Sequence, residues 1–309
     1  VSFLASVQAM TLAALRTPDA RFVDLPGFGF QPHYVDDLPG YAGLRWHFLD
    51  EGPRGAKQTF LCLHGEPSWS YLYRKMLPFF VASGARVVAP DFFGFGRSDK
   101  PIDDAVFTTD FHRNALIGFI EKLDLKNITL VVQDWGGLIG LTLPVHMPQR
   151  ISRLLIMNTA LAIGATPSPG FIAWREYCKS TPDLPVGALF ARGNDKLSAG
   201  EIAAYDAPFP DHRYKAGVRT FPQLVPTSPE QPFAQLSRQA RDWWKTQWNG
   251  PTFAAIGMAD PVLGPEVMKV VLSDIKGCPP PLEIKDGGHF VQDWGDEIAP
   301  AALKHFGDV

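Results

Sequence analysis

The segment Ile128-Thr-Leu-Val-Val-Gln-Asp134-Trp135-Gly136-Gly137-Leu138 constrains this chain more than any other. Its first half is an apolar, β-branched run with the length of a buried parallel strand. Its second half has helical spacing, and two glycines mark the junction. A strand that turns this abruptly into a helix holds its corner residue up and exposed, the geometry of a nucleophile elbow. The usual pattern is G-x-S-x-G; here Val132 replaces the first glycine, Asp134 takes the corner and Gly136 keeps the last position. A charge that ends an apolar strand needs a reason. One is capping of the following helix; the other is nucleophilic chemistry.

The acidic corner selects which chemistry. A carboxylate is a poor acyl nucleophile, because the mixed anhydride it forms is high in energy. It does displace leaving groups from saturated carbon, giving an alkyl ester that water later hydrolyses. The corner therefore points to haloalkanes or epoxides rather than esters.

Around this segment, strands and helices alternate. Strands are expected over 44–49, 59–63, 86–90, 128–133 and 153–158, and helices over 71–80 and 111–123. Regular alternation resumes with strands over 253–257 and 282–285 and helices over 265–275 and 297–306. Repeated βα units predict an α/β fold, a mostly parallel sheet with helices on both faces. Residues 160–230 break the pattern. They are proline-rich, lack a convincing buried strand, and carry short helical stretches such as 171–178 and 201–205. They read as an inserted helical cap over the C-terminal ends of the strands, with a core of 1–159 and 231–309.

Composition narrows the partners. The chain has 309 residues, is 46% hydrophobic and 20% charged, and has a formal net charge of −3, which gives no grip for nucleic acid or a membrane surface. Cys62, Cys178 and Cys278 are odd in number and widely spaced, which fits a reducing cytoplasm better than a disulfide framework. Residues 1–15 begin with an apolar run that lacks the basic start of a secretion signal and is too short to span a bilayer. They are assigned no function, and Met10 is a candidate internal start. Gly94-Phe-Gly96 lacks the third glycine of a dinucleotide fingerprint, and no Walker A or Cys-x-x-Cys pattern occurs. No cofactor and no metal are expected, and the expected state is a monomer.

An alkyl ester on Asp134 needs a base and an acid that orients it, in the chain order nucleophile, acid, histidine. Of eight histidines, His289 has the setting for a base, in Asp286-Gly-Gly-His289-Phe290 after the last strand. His64 is fixed within His-Gly-Glu-Pro, and His112 and His146 fall on expected helices. The acid is read as Asp260, just past the strand ending at Gly257. The other strand end that could supply it holds Asn158, which is neutral, and Asp286 reads as a surface turn residue. The oxyanion hole is expected from the backbone amides of Trp135 and Glu66. Val291-Gln-Asp293-Trp294-Gly295 repeats the letters of the elbow but follows His289 rather than a strand, so Asp293 reads as part of a helix start.

At this point the chain resembles the haloalkane dehalogenases of the α/β-hydrolase superfamily. The resemblance rests on His64-Gly-Glu-Pro-Ser-Trp-Ser-Tyr-Leu-Tyr-Arg-Lys, Pro90-Asp-Phe-Phe-Gly-Phe-Gly-Arg-Ser-Asp-Lys-Pro, Val131-Val-Gln-Asp-Trp-Gly-Gly and Gly288-His-Phe-Val-Gln. It runs from about Arg16 to the C-terminus and is closest over 60–160. It implies Asp134 as nucleophile, His289 as base and Asp260 as acid, in the branch whose acid follows the later strand. It also implies Trp135 and a cap tryptophan, Trp174 in Gly170-Phe-Ile-Ala-Trp174, as halide ligands. Leu138, Phe171, Phe221, Val225 and Val262 match pocket-lining positions. The partners implied are a small haloalkane, water and a halide product. Two tryptophans suit a departing halide, because an indole N–H donates without a positive charge that would hold the product too tightly. Trp243, Trp244 and Trp248 read as core packing. An epoxide hydrolase shares the Asp nucleophile and needs cap tyrosines as acids, for which Tyr177, Tyr205 and Tyr214 are available. A non-catalytic receptor on the same fold is the remaining alternative.

Overall fold

The computed structural model of the protein describes residues 12–308. Of the amino-terminal stretch left without a function, 1–11 fall outside the described residues. In chain order the strands are β1 (Ala14–Leu15), β2 (His33–Val35), β3 (Trp46–Glu51), β4 (Thr59–Leu63), β5 (Arg86–Pro90), β6 (Lys100–Pro101), β7 (Ile128–Val132), β8 (Ile151–Met157), β9 (Thr252–Gly257) and β10 (Leu282–Ile284). The helices are α1 (Leu77–Ala82), α2 (Thr109–Lys122), α3 (Asp134–Gly140), α4 (Pro169–Ser180), α5 (Val186–Gly193), α6 (Ala199–Asp206), α7 (Ala216–Leu224), α8 (Pro232–Thr246), α9 (Pro265–Ser273) and α10 (Gly295–Phe306).

Eight strands form one sheet in the order β10-β9-β8-β7-β4-β5-β3-β2. Pairing is parallel from β10 to β5, and β3 and β2 are antiparallel additions at one edge. β4 and β7 lie at its centre, with Thr59 opposite Ile128 and Leu63 opposite Val132. Every residue of both is buried, as a strand covered on two faces requires. Side chains alternate between the faces. Leu61, Leu63, Leu130 and Val132 pack with residues of α2, α8 and α9 on one side. Phe60, Cys62 and Val131 pack with α1 and α10 on the other. Each large apolar side chain removed from water here contributes roughly 1.5–3 kcal/mol. The α/β expectation is met.

Two local expectations are corrected. The helix expected over 71–80 is broken, with a 3-10 turn at Ser70–Tyr73 and α1 starting only at Leu77. Pro78 lies in the first turn of α1, where its missing N–H costs nothing, whereas a longer helix would carry it in the interior. His146 follows a short 3-10 turn, Leu143–Val145, rather than lying on a helix.

After β8 the chain leaves the sheet and returns to it at β9. Residues 160–230 contain α4 to α7, with α4 packed on α7 and α5 on α6. Arg74 ties this segment down. Its Nη2 meets Glu201 of α6 at 2.7 Å and Asp293, ahead of α10, at 2.9 Å. Trp69 Nε1 adds a hydrogen bond to the Ala204 carbonyl at 3.1 Å.

Candidate active site

Asp134 opens α3 with φ of 48°, in the left-handed region that a non-glycine residue enters only when its surroundings enforce it. The enforcement comes from the end of β8. Asp134 N donates to the Asn158 carbonyl at 2.9 Å, and Thr159 Oγ1 donates to the Asp134 carbonyl at 2.8 Å. Two neighbours must lack side chains. A Cβ on Gly65 would lie 2.3 Å from Asp134 Oδ1, and one on Gly136 would lie 2.1 Å from the Leu63 carbonyl oxygen. The strand-to-helix corner therefore presents the Asp134 carboxylate against the loop that follows β4.

That loop supplies a donor: the Glu66 amide reaches Asp134 Oδ1 at 2.8 Å. The Trp135 amide belongs to the first turn of α3, where N–H groups lack intrahelical partners, and it makes no hydrogen bond to Asp134 itself.

His289 lies between two carboxylates. Its Nδ1 is 2.9 Å from Asp260 Oδ2, and its Nε2 is 3.4 Å from Asp134 Oδ2. Asp260 is held from every side. Oδ1 accepts from the amides of Val262 at 2.8 Å and Leu263 at 3.1 Å, and Oδ2 also accepts from Asn158 Nδ2 at 3.0 Å. Burial opposes the Asp260 charge, but the nearby His289 and these donors outweigh it and hold its carboxyl below the usual range. For His289, burial again opposes charge. The Asp260 carboxylate, joined by the hydrogen bonds to Asp134 and Asp260, wins and lifts the imidazole well above its ordinary value. Asp286 takes no part; its side chain is 80% exposed and lies 3.9 Å from Lys196 Nζ. His64 is a buried structural histidine, with Nδ1 on the Gly65 carbonyl and Nε2 accepting from the Phe92 amide.

Above these groups lies a cavity of about 710 Å³. Asp134, His289, Trp135, Trp174 and Glu66 line it, with a largely apolar wall that includes Leu138, Phe171, Val225 and Val262. Sequence reasoning did not assign Leu189, Arg192 and Phe290 to the pocket, though all three line it; Leu189 and Arg192 carry no motif, and Phe290 lies in the His289 motif without signalling its place in the wall. Phe221 is a correction. It does not line the cavity; its ring packs behind Trp135, centroids 4.6 Å apart, and against His112 at 4.4 Å. Its ring therefore backs the Trp135 indole instead of forming part of the cavity wall.

The tryptophans divide by their N–H groups. Trp69, Trp244 and Trp248 donate to Ala204, Leu141 and Thr252. Trp135 and Trp174 line the cavity and make no indole hydrogen bond to a described residue, whereas Trp46, whose indole N–H is also without a partner, lies buried away from the cavity. None of Tyr177, Tyr205 and Tyr214 lines it. Tyr205 is instead buried at the Arg74 cluster, 3.1 Å from Arg74 Nη1. Asp293 precedes α10, and beyond that reading it forms the buried ion pair with Arg74. Among the described residues no group of His, Cys, Asp and Glu is arranged to hold a metal.

Comparison with known proteins adds a second line of observation. The family model described as alpha/beta hydrolase fold matches residues 58–296. A haloalkane dehalogenase of Psychrobacter cryohalolentis is 44% identical over 302 residues, covering 95% of this chain and 98% of its own. Haloalkane dehalogenase 1 of Mycobacterium bovis is 46% identical over 297 residues, covering 94% and 97%. The solved structure of haloalkane dehalogenase DpaA from Paraglaciecola agarilytica, described as tetrameric, superposes with a TM-score of 0.93 at 50% identity, covering 95% of this chain and 98% of that one.

Proposed function

We propose the following division of labour for a chain that belongs to the haloalkane dehalogenases of the α/β-hydrolase fold. The protein hydrolyses carbon–halogen bonds, converting a haloalkane and water to an alcohol and halide. In the first step Asp134 Oδ2 attacks the halogen-bearing carbon. A C–O bond forms, the carbon–halogen bond breaks, and its electron pair leaves on the halide. The free N–H groups of Trp135 and Trp174 receive that charge. In the second step His289 takes a proton from water, which adds to the Asp134 carboxyl carbon. The alcohol leaves, the carboxylate is regenerated, and one proton goes to solvent. The Glu66 amide steadies Asp134 Oδ1 as charge gathers on it.

Ester formation has an electrostatic effect on the base. It converts Asp134 from an anion to a neutral ester and so removes one of the two carboxylates that favour the charged imidazole. His289 is thereby moved toward the neutral form that accepts a proton, with Asp260 left to stabilise the imidazolium that follows.

The observation that carries this reading is the His289 ring, spanning Asp134 and Asp260 at 3.4 and 2.9 Å under a cavity that holds two unengaged indole donors. Residues 160–230 act as the cap that closes this cavity. Among the described residues no tyrosine lines its wall, which speaks against the acids an epoxide hydrolase would use. The test is halide release from a panel of chloro- and bromoalkanes, with an epoxide as control and EDTA present throughout. Halide and alcohol in equal amounts support the reading; turnover of the epoxide alone would replace it.

The tetrameric relative makes self-association, rather than the expected monomer, the state to test by light scattering. No described helix is long and apolar enough to cross a membrane. The three free thiols favour a reducing compartment.

A further inference from the structure

The ring of the catalytic base is the first of four that stack outward into the cap. His289 meets Phe290 edge to face, with ring centroids 4.8 Å apart and planes at 82°. Phe290 lies on Phe190 of α5 at 3.8 Å and 22°. Phe190 in turn lies flat on Tyr205 of α6 at 3.5 Å and 7°. The far end of the stack is fixed, because Arg74 Nη1 donates to the Tyr205 hydroxyl at 3.1 Å. Phe190 and Tyr205 are fully buried, and their flat faces leave Phe290 one seat.

Two more contacts press the end of α5 against the same loop. A Cβ on Gly288 would lie 2.7 Å from the Gly193 carbonyl oxygen, so the chain just before His289 packs on the last residue of α5 with no space between. Asn194 Nδ2, one residue past the helix, reaches Asp293 Oδ2 at 3.3 Å. From the core, Gln133 Nε2 donates to the His289 carbonyl at 2.9 Å, which fixes the main chain but not the ring.

The ring needs support most in the second half of the reaction. Alkylation places the substrate carbon on Asp134 Oδ2, the oxygen that faces His289 Nε2 at 3.4 Å, and so removes the charge at that nitrogen. The imidazole then keeps its Nδ1 bond to Asp260. One anchor leaves a ring free to turn, since the outer torsion of a histidine side chain is broad. The face of Phe290, backed by Phe190, blocks that turning.

We propose that Phe190 is a positioning residue for ester hydrolysis: through Phe290 it holds the His289 ring in line with the attacking water while Asp134 is alkylated. This rests on the dehalogenase reading of the site. Phe190 does not line the cavity, so it acts on the base and not on the substrate. The cap is thereby part of the support of the base, and the two half-reactions depend on it unequally.

The test measures alkylation and ester hydrolysis separately by rapid quench with 1-bromobutane, with thermal melts as the control for folding. Phe190→Leu should alkylate within about threefold of the wild type and hydrolyse the ester about tenfold more slowly, the effect of a slightly misplaced base. The alkylated enzyme should therefore accumulate. Phe290→Leu should slow hydrolysis at least as much, and adding Phe190→Leu to it should slow it no further, because Phe190 acts through Phe290. A purely structural role would lower the melting temperature and leave the ratio of the two half-reactions at the wild-type value. Hydrolysis at the wild-type rate in Phe190→Leu, equal slowing of both steps, or fully additive effects in the double variant overturns the proposal. If Phe190→Leu does not fold, Phe290→Leu decides, and wild-type ester hydrolysis there overturns it. Turnover of 1-bromobutane by the wild type separates the two readings: without it the dehalogenase reading fails, and with it a negative result above concerns Phe190 alone.

Discussion

Asn158 and His289 share one oxygen of Asp260: Asn158 Nδ2 lies 3.0 Å and His289 Nδ1 2.9 Å from Oδ2. Asn158 is itself fixed, its Oδ1 accepting from the Gly257 amide at 2.7 Å. The neutral residue at the end of β8 thus positions the acid at the end of β9. Asn158→Ala should leave Asp260 short of one donor and cost about 1–3 kcal/mol of stability. It should slow ester hydrolysis, and less than Asp260→Asn does, because the imidazolium keeps its counter-charge. Rapid-quench measurement of the two half-reactions checks this; equal slowing of alkylation and hydrolysis by Asp260→Asn would contradict the assignment of the acid.

His289→Gln should separate the two chemical steps. Displacement at carbon needs no base, so Asp134 should still be alkylated, while the ester persists. Mass spectrometry after exposure to a bromoalkane should show a single alkyl adduct on the peptide that carries Asp134. Normal turnover by the variant, or an adduct elsewhere, would overturn the roles given to both residues.

Trp135→Phe and Trp174→Phe each remove an N–H and keep most of the ring. Negative charge grows on the halogen during alkylation, so the lost bond matters more in the transition state than in the ground state. With roughly 1.5–3 kcal/mol lost per charge-assisted bond, alkylation should slow about 10–100-fold and bromide should bind more weakly. Trp243→Phe is the control and should leave bromide affinity unchanged. Unaltered bromide binding in Trp174→Phe would remove that residue from the halide site.

Protonation of His289 is linked to folding. Its value in the folded protein is raised, so its contribution to stability is complete below the unfolded value near 6.5 and is lost as pH rises through the folded value. Asp260 acts at the other end: its lowered value gives stability above about 3.9 that disappears as pH falls through the folded value. Melting curves between pH 6 and 10 should therefore decline more for the wild type than for His289→Gln. Parallel curves would show that the imidazole gains nothing from its two carboxylates.

The sheet was legible because buried parallel strands write themselves as apolar runs; β4 and β5 have the bounds expected from sequence. β2, a partly buried three-residue strand at the sheet edge, has no such run and went unread. Asp134, Asp260 and His289 could be picked out because each follows a strand and its residue type is out of place there. Phe221 could not be placed, since an aromatic behind Trp135 and one facing the cavity look alike in a sequence. The Arg74–Asp293 pair was hidden for another reason. Nothing local connects two residues 219 positions apart, and only the fold brings Nη2 within 2.9 Å of Oδ1.

That pair bears on traffic into and out of the enzyme. Arg74 grips α6 through Glu201 and the segment before α10 through Asp293, with only 2% of its side chain exposed. Lifting α6 away would break the Arg74–Glu201 contact while leaving Arg74 paired with Asp293, at a cost of about 1–3 kcal/mol. The contact favours exchange of alkyl halides, alcohols and halide ions with α6 still seated. Val262 and Phe171 line the cavity and remain partly exposed, so they are the side chains whose replacement should change which alkyl halides enter.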